Sequence, residues 1–150
     1  MKKTYMIKKL TDKDSISDTL MSCSSSLFNQ KLNNKSFLSD LAEKFYNNAH
    51  VIKICYDNDL VGFSAYYCND LKAQNAFLSM IVILKKYQSM GAGSALLDYT
   101  IEDCKNAGMK NLILEVDKKN ETAIEFYLKK RFIFVNKETE NSLFMSLSIN

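Results

Sequence analysis

Apolar and polar residues follow one another along the chain in blocks that predict seven strands and four helices. Short runs rich in β-branched and aromatic residues predict strands, and apolar residues that recur every three or four positions predict helices. The predicted strands are residues 4–10, 51–56, 60–68, 76–84, 110–116, 132–135 and 143–149. The predicted helices are residues 16–27, 36–47, 94–106 and 120–130. This order predicts an α/β (α+β) protein whose helices pack on a mixed sheet.

Polar segments and one glycine mark the ends of several elements. Residues 11–15 offer good caps for the first helix, and Ser36 is the expected cap of the second. Serines 24–26 weaken the end of the first helix, because their hydroxyls compete for backbone hydrogen bonds. Residues 57–59 predict a hairpin turn, and Gly108 predicts the end of the third helix.

The strand at residues 76–84 leads into the stretch with the clearest chemical signal. A short basic turn follows it, and then Gly91 and Gly93, two of the chain's four glycines, at the start of a helix. A glycine-rich turn between a strand and a helix N-terminus binds phosphate, because free N–H groups and the helix dipole both favour an anion. We therefore predict that the amides of residues 88–94 hold the pyrophosphate of a nucleotide-containing cofactor.

Length and composition agree with one soluble domain over residues 1–150. Hydrophobic residues make up 47% and charged residues 25% of the chain, and no apolar stretch is long enough to cross a membrane. The basic residues at the start are not followed by an apolar segment, so we expect no signal peptide and a cytoplasmic location. A net charge of +3 on scattered lysines argues against a nucleic-acid partner.

Histidine and cysteine usage narrows the chemistry further. The single histidine, His50, argues against a multi-histidine metal site and a histidine-based triad, so we expect no metal. The four cysteines form no C-x-x-C pair, and we expect them to be reduced packing residues. Cys68 and Cys104 are poor candidates for a nucleophile, because no histidine is evidently placed to activate them.

Two well-known nucleotide motifs fit the glycine turn poorly. The P-loop pattern is missing altogether. The dinucleotide pattern G-x-G-x-x-G fails because its sixth position is Leu96 and six residues separate Leu84 from Gly91. Glu115 lies at about the right distance for a ribose-binding acid, yet the chain after Gly91 is too short for a second nucleotide-binding half. A Rossmann-type NAD-binding protein is therefore the least favoured alternative.

Two blocks at matching separation resemble the GNAT superfamily of N-acetyltransferases, and the resemblance covers roughly residues 50–135. The first block, Gln88-Ser89-Met90-Gly91-Ala92-Gly93, resembles the family signature Q/R-x-x-G-x-G/A. The second resembles L-E-V…N…A-I…(F/L)-Y…G-F. It comprises Leu114, Glu115, Val116, Asn120, Ala123, Ile124, Phe126, Tyr127 and Phe132. Arg131 departs from the pattern, because the family usually has a glycine there that ends a helix in a left-handed conformation.

The resemblance implies a fold and an activity. It implies a mostly antiparallel central sheet of about seven strands flanked by about four helices, in a monomer or homodimer. It further implies an N-acetyltransferase that moves an acetyl group from acetyl-CoA to a primary amine by direct attack in a ternary complex. The acceptor stays open between a small amine or amino sugar and a protein amine. A catalytically silent CoA-binding module is the alternative of a different class.

The resemblance also assigns roles to residues. It implies that the backbone of Ile81, Val82 and Ile83 pairs with the pantetheine arm, and that Asn120 contacts this arm. Tyr127 would be the general acid at the sulfur, since a phenol is a plausible proton donor to a thiolate. The cofactor-binding amides would be those of Gln88, Ser89, Met90, Gly91, Ala92, Gly93 and Ser94.

Glu115 is the candidate general base. A carboxylate within an apolar strand is costly unless it is paired or functional, and desolvation would raise its pKa toward a useful base strength. In similar enzymes that acetylate protein N-termini, the glutamate of this strand takes the amine proton, often through water. The residues alone also allow a plain exposed strand end. His50 is a weaker candidate for the base.

Overall fold

The computed structural model describes residues 4–150, which contain seven strands and four α-helices. Residues 1–3, part of the segment that argues against a signal peptide, lie outside the described residues. The strands are β1 (Met6–Leu10), β2 (His50–Tyr56), β3 (Asp59–Asp70), β4 (Asn75–Ile83), β5 (Asn111–Asp117), β6 (Ile133–Glu138) and β7 (Ser142–Ser148). The helices are α1 (Lys13–Cys23), α2 (Lys35–Asn48), α3 (Ala92–Asn106) and α4 (Glu121–Lys129).

All seven strands join one sheet in the order β1-β2-β3-β4-β5-β7-β6. Every neighbouring pair is antiparallel except β4 and β5, which run parallel. The expected mostly antiparallel sheet of seven strands with four flanking helices is confirmed. The Rossmann alternative is wrong, because that fold needs a mostly parallel sheet.

Each face of the sheet carries two helices over its own hydrophobic cluster. On one face, called the α1–α2 face, Ile16, Leu38 and Phe45 pack against Phe63 and Val82 of the sheet. On the other, called the α3–α4 face, α3 and α4 cover a larger cluster. This cluster includes Ile52, Tyr66, Leu78, Leu96, Leu97, Leu112, Leu114, Tyr127, Phe132 and Met145. Among the described residues, no helix is long and apolar enough to cross a membrane.

Local side-chain caps shift the first two helices from their predicted bounds. Helix α1 begins three residues earlier than predicted, because the Asp12 carboxylate accepts a hydrogen bond from the Ser15 amide at 2.9 Å. It ends at Cys23, and the serines form a short 3-10 helix instead. Ser36 is not the cap of α2: the side chain of Asn34 accepts from the Phe37 amide at 3.1 Å.

Positive φ angles fix the predicted turns and one helix end. Asp57 and Asn58, with φ of 49° and 69°, form the two-residue turn between β2 and β3. Gly108, with φ of 84°, ends α3 as predicted, and the Met109 amide donates to the Cys104 carbonyl. Strand β6 extends three residues beyond its predicted end, to Glu138, which shortens the turn before β7.

Arg131 occupies the left-handed position where the family pattern has glycine. Its φ is 74°, its amide donates to the Leu128 carbonyl, and the Phe132 amide donates to the Tyr127 carbonyl at 3.0 Å. These two hydrogen bonds are the ordinary helix-ending motif. Because Arg131 carries a Cβ, it adopts this conformation at a cost of about 1 kcal/mol.

A partly buried carboxylate, Asp103, connects the last turn of α3 to three strands. Its oxygens accept from Lys9 Nζ at 2.8 Å and the Tyr66 hydroxyl at 2.7 Å, and His50 Nδ1 lies 3.0 Å away. Burial alone would raise the pKa of Asp103, but hydrogen bonds from Lys9, Tyr66 and His50 outweigh burial and lower it. The Asp103 cluster, defined by these four residues, therefore stabilises the fold in the charged form of Asp103.

We expect Arg131→Gly to stabilise the protein by about 1 kcal/mol, because glycine enters the left-handed conformation without a Cβ clash. Urea unfolding with far-UV circular dichroism measures the change. Arg131→Ala is the matched control, since it removes the same charge and keeps the Cβ. A gain of equal size in both variants would show that the charge, and not the backbone, is responsible.

We expect Asp103→Asn to lower the free energy of unfolding by about 2 kcal/mol at pH 7, because charged hydrogen bonds are lost. The lowered pKa of folded Asp103 means that this contribution is present above the ordinary aspartate pKa of about 4. It disappears as the pH falls through the lowered value. The free energies of unfolding of wild type and variant should therefore begin to converge as the pH falls below about 4.

Asp98→Asn serves as the control on the same helix. Asp98 is 65% exposed and pairs with Lys130 Nζ at 2.9 Å. A surface pair of this kind contributes less than about 1 kcal/mol. Equal losses from Asp98→Asn and Asp103→Asn would contradict the stabilising role given to the Asp103 cluster.

Candidate functional site

The sheet opens between β4 and β5. The two strands pair only from Asn75–Asn111 to Leu78–Leu114, although β4 continues to Ile83 and β5 to Asp117. Beyond Leu78, β4 pairs with β3 on one edge, while β5 pairs with β7 along its whole length. The backbone edge of β4 at residues 79–83 therefore faces a gap with no partner strand among the described residues.

An irregularity in β4 lies where the gap begins. Ala65 of β3 pairs with Met80, whereas its neighbour Tyr66 pairs with Leu78, so Ser79 is an extra residue in the ladder. A bulge of this kind bends its strand and increases the local twist. The bend carries the second half of β4 away from β5.

Gly62 on β3 lets the open half of β4 pack closely. A Cβ at this position would lie 2.2 Å from the Val82 carbonyl oxygen and 3.1 Å from the Ile83 Cα. Only glycine fits against backbone at these distances. The sequence contains the signal, since a glycine within a strand marks a close backbone approach, but its spacing does not say which strand approaches.

The loop from Gln88 to Gly91 follows the open strand edge and leads into α3. The side-chain amide of Gln88 donates to the Ile83 carbonyl at 3.0 Å, which ties the loop to the end of β4. Ser89 and Gly91 have φ of 63° and 84°. Gly91 is the N-cap of α3, no side chain caps the helix, and its first turn carries no acidic residue. The first amides of α3 are thus open to an anion.

The positions of Gly91 and Gly93 differ in whether the protein's own structure requires a glycine. Gly91 needs its left-handed φ, although a Cβ there would meet nothing within 4 Å. A Cβ on Gly93 would lie 3.7 Å from Phe126 and 3.8 Å from Ile83, which is ordinary contact. Among the described residues, no protein atom comes close enough to require glycine at position 93. These contacts also show that β4, α3 and α4 meet at Gly93.

Asn120 and Tyr127 belong to α4, the helix whose Phe126 lies next to Gly93. The Asn120 side chain caps α4, and its Oδ1 accepts from the Ala123 amide at 3.2 Å. Tyr127 is 7% exposed, and its ring contacts Phe126 and Phe132 at 5.4 Å between centroids. Burial raises the pKa of Tyr127 above its ordinary value, so the phenol stays protonated at neutral pH.

Glu115 lies in the part of β5 that pairs with β7 but no longer with β4, and it does not have the environment that the sequence suggested. Its neighbours Leu114 and Val116 are buried on the α3–α4 face, so alternation places Glu115 on the α1–α2 face. Its side chain is exposed. The expected burial of Glu115, on which the idea of a desolvated base depended, is therefore wrong. Tyr127 and Glu115 thus lie on opposite faces of the sheet.

The remaining candidates lie away from the gap. His50 belongs to the Asp103 cluster and stacks on Tyr66, rather than standing as a free surface histidine. Asp103 is about 18 Å along the helix axis from the Gly91 cap, at 1.5 Å per residue over 12 residues. Cys68 and Cys104 are buried side by side with their sulfurs 3.8 Å apart at that same end of α3.

We expect Gly62→Ala to destabilise the protein by about 3 kcal/mol or more, since the new Cβ overlaps backbone of β4. Gly93→Ala is the matched control, and we expect no loss there, because alanine also favours a helix relative to glycine. Urea unfolding of both variants measures the difference. Equal stability of Gly62→Ala and wild type would contradict the close packing of β3 against β4.

Known proteins share this architecture. The structure of ribosomal-protein-S18-alanine N-acetyltransferase from Escherichia coli superposes with a TM-score of 0.78 at 19% identity, covering 98% of this chain and 95% of that one. PaiA N-acetyltransferase from Thermoplasma acidophilum, solved in complex with coenzyme A, gives 0.75 at 16% identity, with 95% and 99% covered. At these identities the likeness concerns the fold.

Sequence comparison gives the family. N-alpha-acetyltransferase 50 from Danio rerio is 29% identical over 111 residues, which cover 69% of this chain and 66% of that protein. The matched segment thus spans slightly less than two thirds of this relative. The family model described as Acetyltransferase (GNAT) family matches residues 14–132, most of the chain. With the opened sheet and the loop before α3, this match establishes that the chain belongs to the GNAT family of acetyltransferases.

Proposed function

We propose that this protein transfers an acetyl group from acetyl-CoA to a primary amine, with an α-amine of a protein or peptide as the favoured acceptor. The observation that carries the proposal is the unpaired edge of β4 at residues 79–83, followed after residues 84–91 by the uncapped N-terminus of α3. Acetyl-CoA has an extended pantetheine arm with a pyrophosphate at one end. The arm would pair with the open strand edge, and the pyrophosphate would bind at the helix N-terminus.

The loop and the first turn of α3 would hold the pyrophosphate. Backbone N–H groups of residues 88–94 supply donors, and the helix dipole favours the negative charge. Gln88 keeps this loop in place through its bond to Ile83, so its side chain acts on the protein rather than on the ligand.

The open edge of β4 would pair with the pantetheine arm. Ile81, Val82 and Ile83 pair with Ser64, Phe63 and Gly62 on one edge, which leaves their other edge for an added extended chain. An N–H group on that edge could also polarise the thioester carbonyl. Asn120 uses its Oδ1 as a cap, so its side-chain NH₂ is the part that would contact the arm.

Tyr127 would act as the general acid. Acetyl-CoA supplies the acetyl group as an activated thioester. The buried Tyr127 phenol remains protonated, so it can donate its proton to the thiolate leaving group. Its ring contacts Phe126 and Phe132, which restricts the direction in which the hydroxyl points.

Glu115 would receive the proton of the attacking amine, directly or through water. Among residues 4–150 it makes no side-chain hydrogen bond or ion pair that would occupy its oxygens, and it lies just beyond the point where β5 stops pairing with β4. An α-amine has a pKa of about 8, so part of it is neutral at pH 7, whereas a lysine has a pKa above 10. An exposed carboxylate is therefore better suited to deprotonate an α-amine than a lysine.

The acceptor proposal rests on this argument and on the names of two similar proteins. One similar protein is named N-alpha-acetyltransferase 50 and the other is the ribosomal-protein-S18-alanine N-acetyltransferase. A peptide α-amine is therefore the first acceptor to test, followed by amino sugars and other small amines.

We expect Tyr127→Phe to lower kcat by about 10²-fold and to leave CoA affinity within twofold, because only proton transfer is lost. Glu115→Gln should lower turnover at neutral pH, and its defect should shrink as the pH rises above the pKa of the acceptor amine. Free-thiol release with a peptide panel measures turnover, and calorimetry with CoA measures affinity.

Three outcomes would contradict the proposal. A protein that binds CoA but gives no thiol release with any amine would be a silent CoA-binding module. A protein that is not stabilised by acetyl-CoA or CoA in a thermal-shift assay would not be a CoA-dependent enzyme. Full turnover in Tyr127→Phe would remove the assigned acid.

A further inference from the structure

Strand β3 and helix α3 are joined by a row of three side-chain contacts, and the third contact is between two cysteines. The row consists of Ser64–Thr100 at 3.0 Å, Tyr66–Asp103 at 2.7 Å and Cys68–Cys104, whose sulfurs are 3.8 Å apart. Alternate residues of a strand share one face, and residues three or four apart share one side of a helix, so the three contacts follow one line. The first two are hydrogen bonds between hydroxyl or carboxylate groups, and they hold the strand and the helix in the register that brings the sulfurs together.

The two thiols can become a disulfide through a local adjustment. Their sulfurs are in van der Waals contact at 3.8 Å, and a disulfide brings them to about 2.05 Å. Rotation of each side chain about its Cα–Cβ bond moves the sulfur while the backbone stays in place. Cys104 also lies in the last turn of α3, and Cys68 lies two residues before the end of β3, so a small backbone shift need not involve the centre of either element.

The two thiols differ in exposure and in acidity. Cys68 is 7% exposed, whereas Cys104 is fully buried. The hydrogen bond with Cys104 and the nearby charge of Lys9 lower the pKa of Cys68, and together they outweigh burial and the charge of Asp103, which raise it. The same hydrogen bond and burial raise the pKa of Cys104. Because the thiolate is the form that reacts with oxidants, Cys68 is the reactive cysteine of the pair and Cys104 is the resolving cysteine.

We propose that Cys68 and Cys104 form an oxidation site: a peroxide converts the two thiols to an intramolecular disulfide that joins β3 to the last turn of α3. In the first step the Cys68 sulfur attacks hydrogen peroxide. A sulfur–oxygen bond forms, the oxygen–oxygen bond breaks, and water leaves, which gives a sulfenic acid. In the second step the Cys104 sulfur attacks the Cys68 sulfur. The sulfur–sulfur bond forms, and the sulfenic oxygen leaves as a second water with the proton of Cys104. The two thiols together lose two electrons, and the peroxide gains them.

The disulfide would add a covalent link at the end of α3 that lies opposite the Gly91 cap. It would join residues 36 positions apart in the chain, which restricts the unfolded chain and thereby stabilises the folded protein. This inference concerns the stability of the fold and does not depend on the proposed acetyl transfer.

Oxidation of the reduced wild-type protein tests the proposal directly. The protein is treated with a small excess of hydrogen peroxide, and the remaining thiols are alkylated after unfolding in denaturant. We expect the number of alkylated cysteines to fall from four to two, and peptide mapping by mass spectrometry to find Cys68 linked to Cys104. The melting temperature of the oxidised protein should rise by roughly 5–10 °C, and dithiothreitol should restore the starting value.

Two results with wild type would overturn the proposal. One is a protein that still has four alkylated cysteines, or a link that joins cysteines other than this pair. The other is a Cys68–Cys104 disulfide that forms without a rise in melting temperature, because it would not stabilise the fold.

Cys104→Ala separates the two chemical steps, because it keeps the reactive cysteine and removes the resolving one. We expect peroxide to leave a sulfenic acid on Cys68 that dimedone traps, and to give no rise in melting temperature. Cys55→Ala is the matched control, since Cys55 is partly exposed on β2 and belongs to neither step. This variant should form the disulfide and gain the same rise as wild type. A rise that persists in Cys104→Ala, or that disappears in Cys55→Ala, would overturn the assignment.

Discussion

The site depends on β4 being a strand with two different halves. Its first half is paired on both edges, and its second half, after the extra residue Ser79, is paired with β3 alone. Gly62 permits the close packing that holds this second half on one side, and Gln88 fixes its end to the following loop. An open strand edge inside a sheet would otherwise invite pairing with another chain. Here β5 lies next to this edge, and helices cover both faces of the sheet.

Helix α3 performs different tasks at its two ends. Its N-terminus carries no side-chain cap and offers amides to an anion, whereas its last turn carries Asp103, bound by Lys9, Tyr66 and His50. The strongly anchored end sets the direction of the helix axis, and the uncapped end needs that direction to present its amides. Separating anchoring from binding along one rigid helix lets the binding end stay open without loosening the fold.

Much of this arrangement could be predicted from the sequence, and what could not be predicted depends on tertiary contacts. The periodicity of apolar residues places the strands and helices, and the glycine turn with the Asn120–Tyr127 block identifies the family. Ser36 was the wrong cap because Asn34, two residues earlier, competes for the same task. Glu115 was expected to be buried because its strand is apolar, but the burial of one face says nothing about the other. The contacts of Gly62 and His50 join residues far apart in sequence, and no local pattern says which residues these are.

The short parallel seam between β4 and β5 has a thermodynamic consequence. Four residue pairs, Asn75–Asn111 to Leu78–Leu114, are the only ladder joining the four strands β1–β4 to the three strands β5–β7 within the described sheet. A molecule lying in the gap would bridge both parts, so its binding energy would add to the cooperativity with which they unfold together. In this fold, occupancy of the gap and the integrity of the sheet are therefore coupled equilibria.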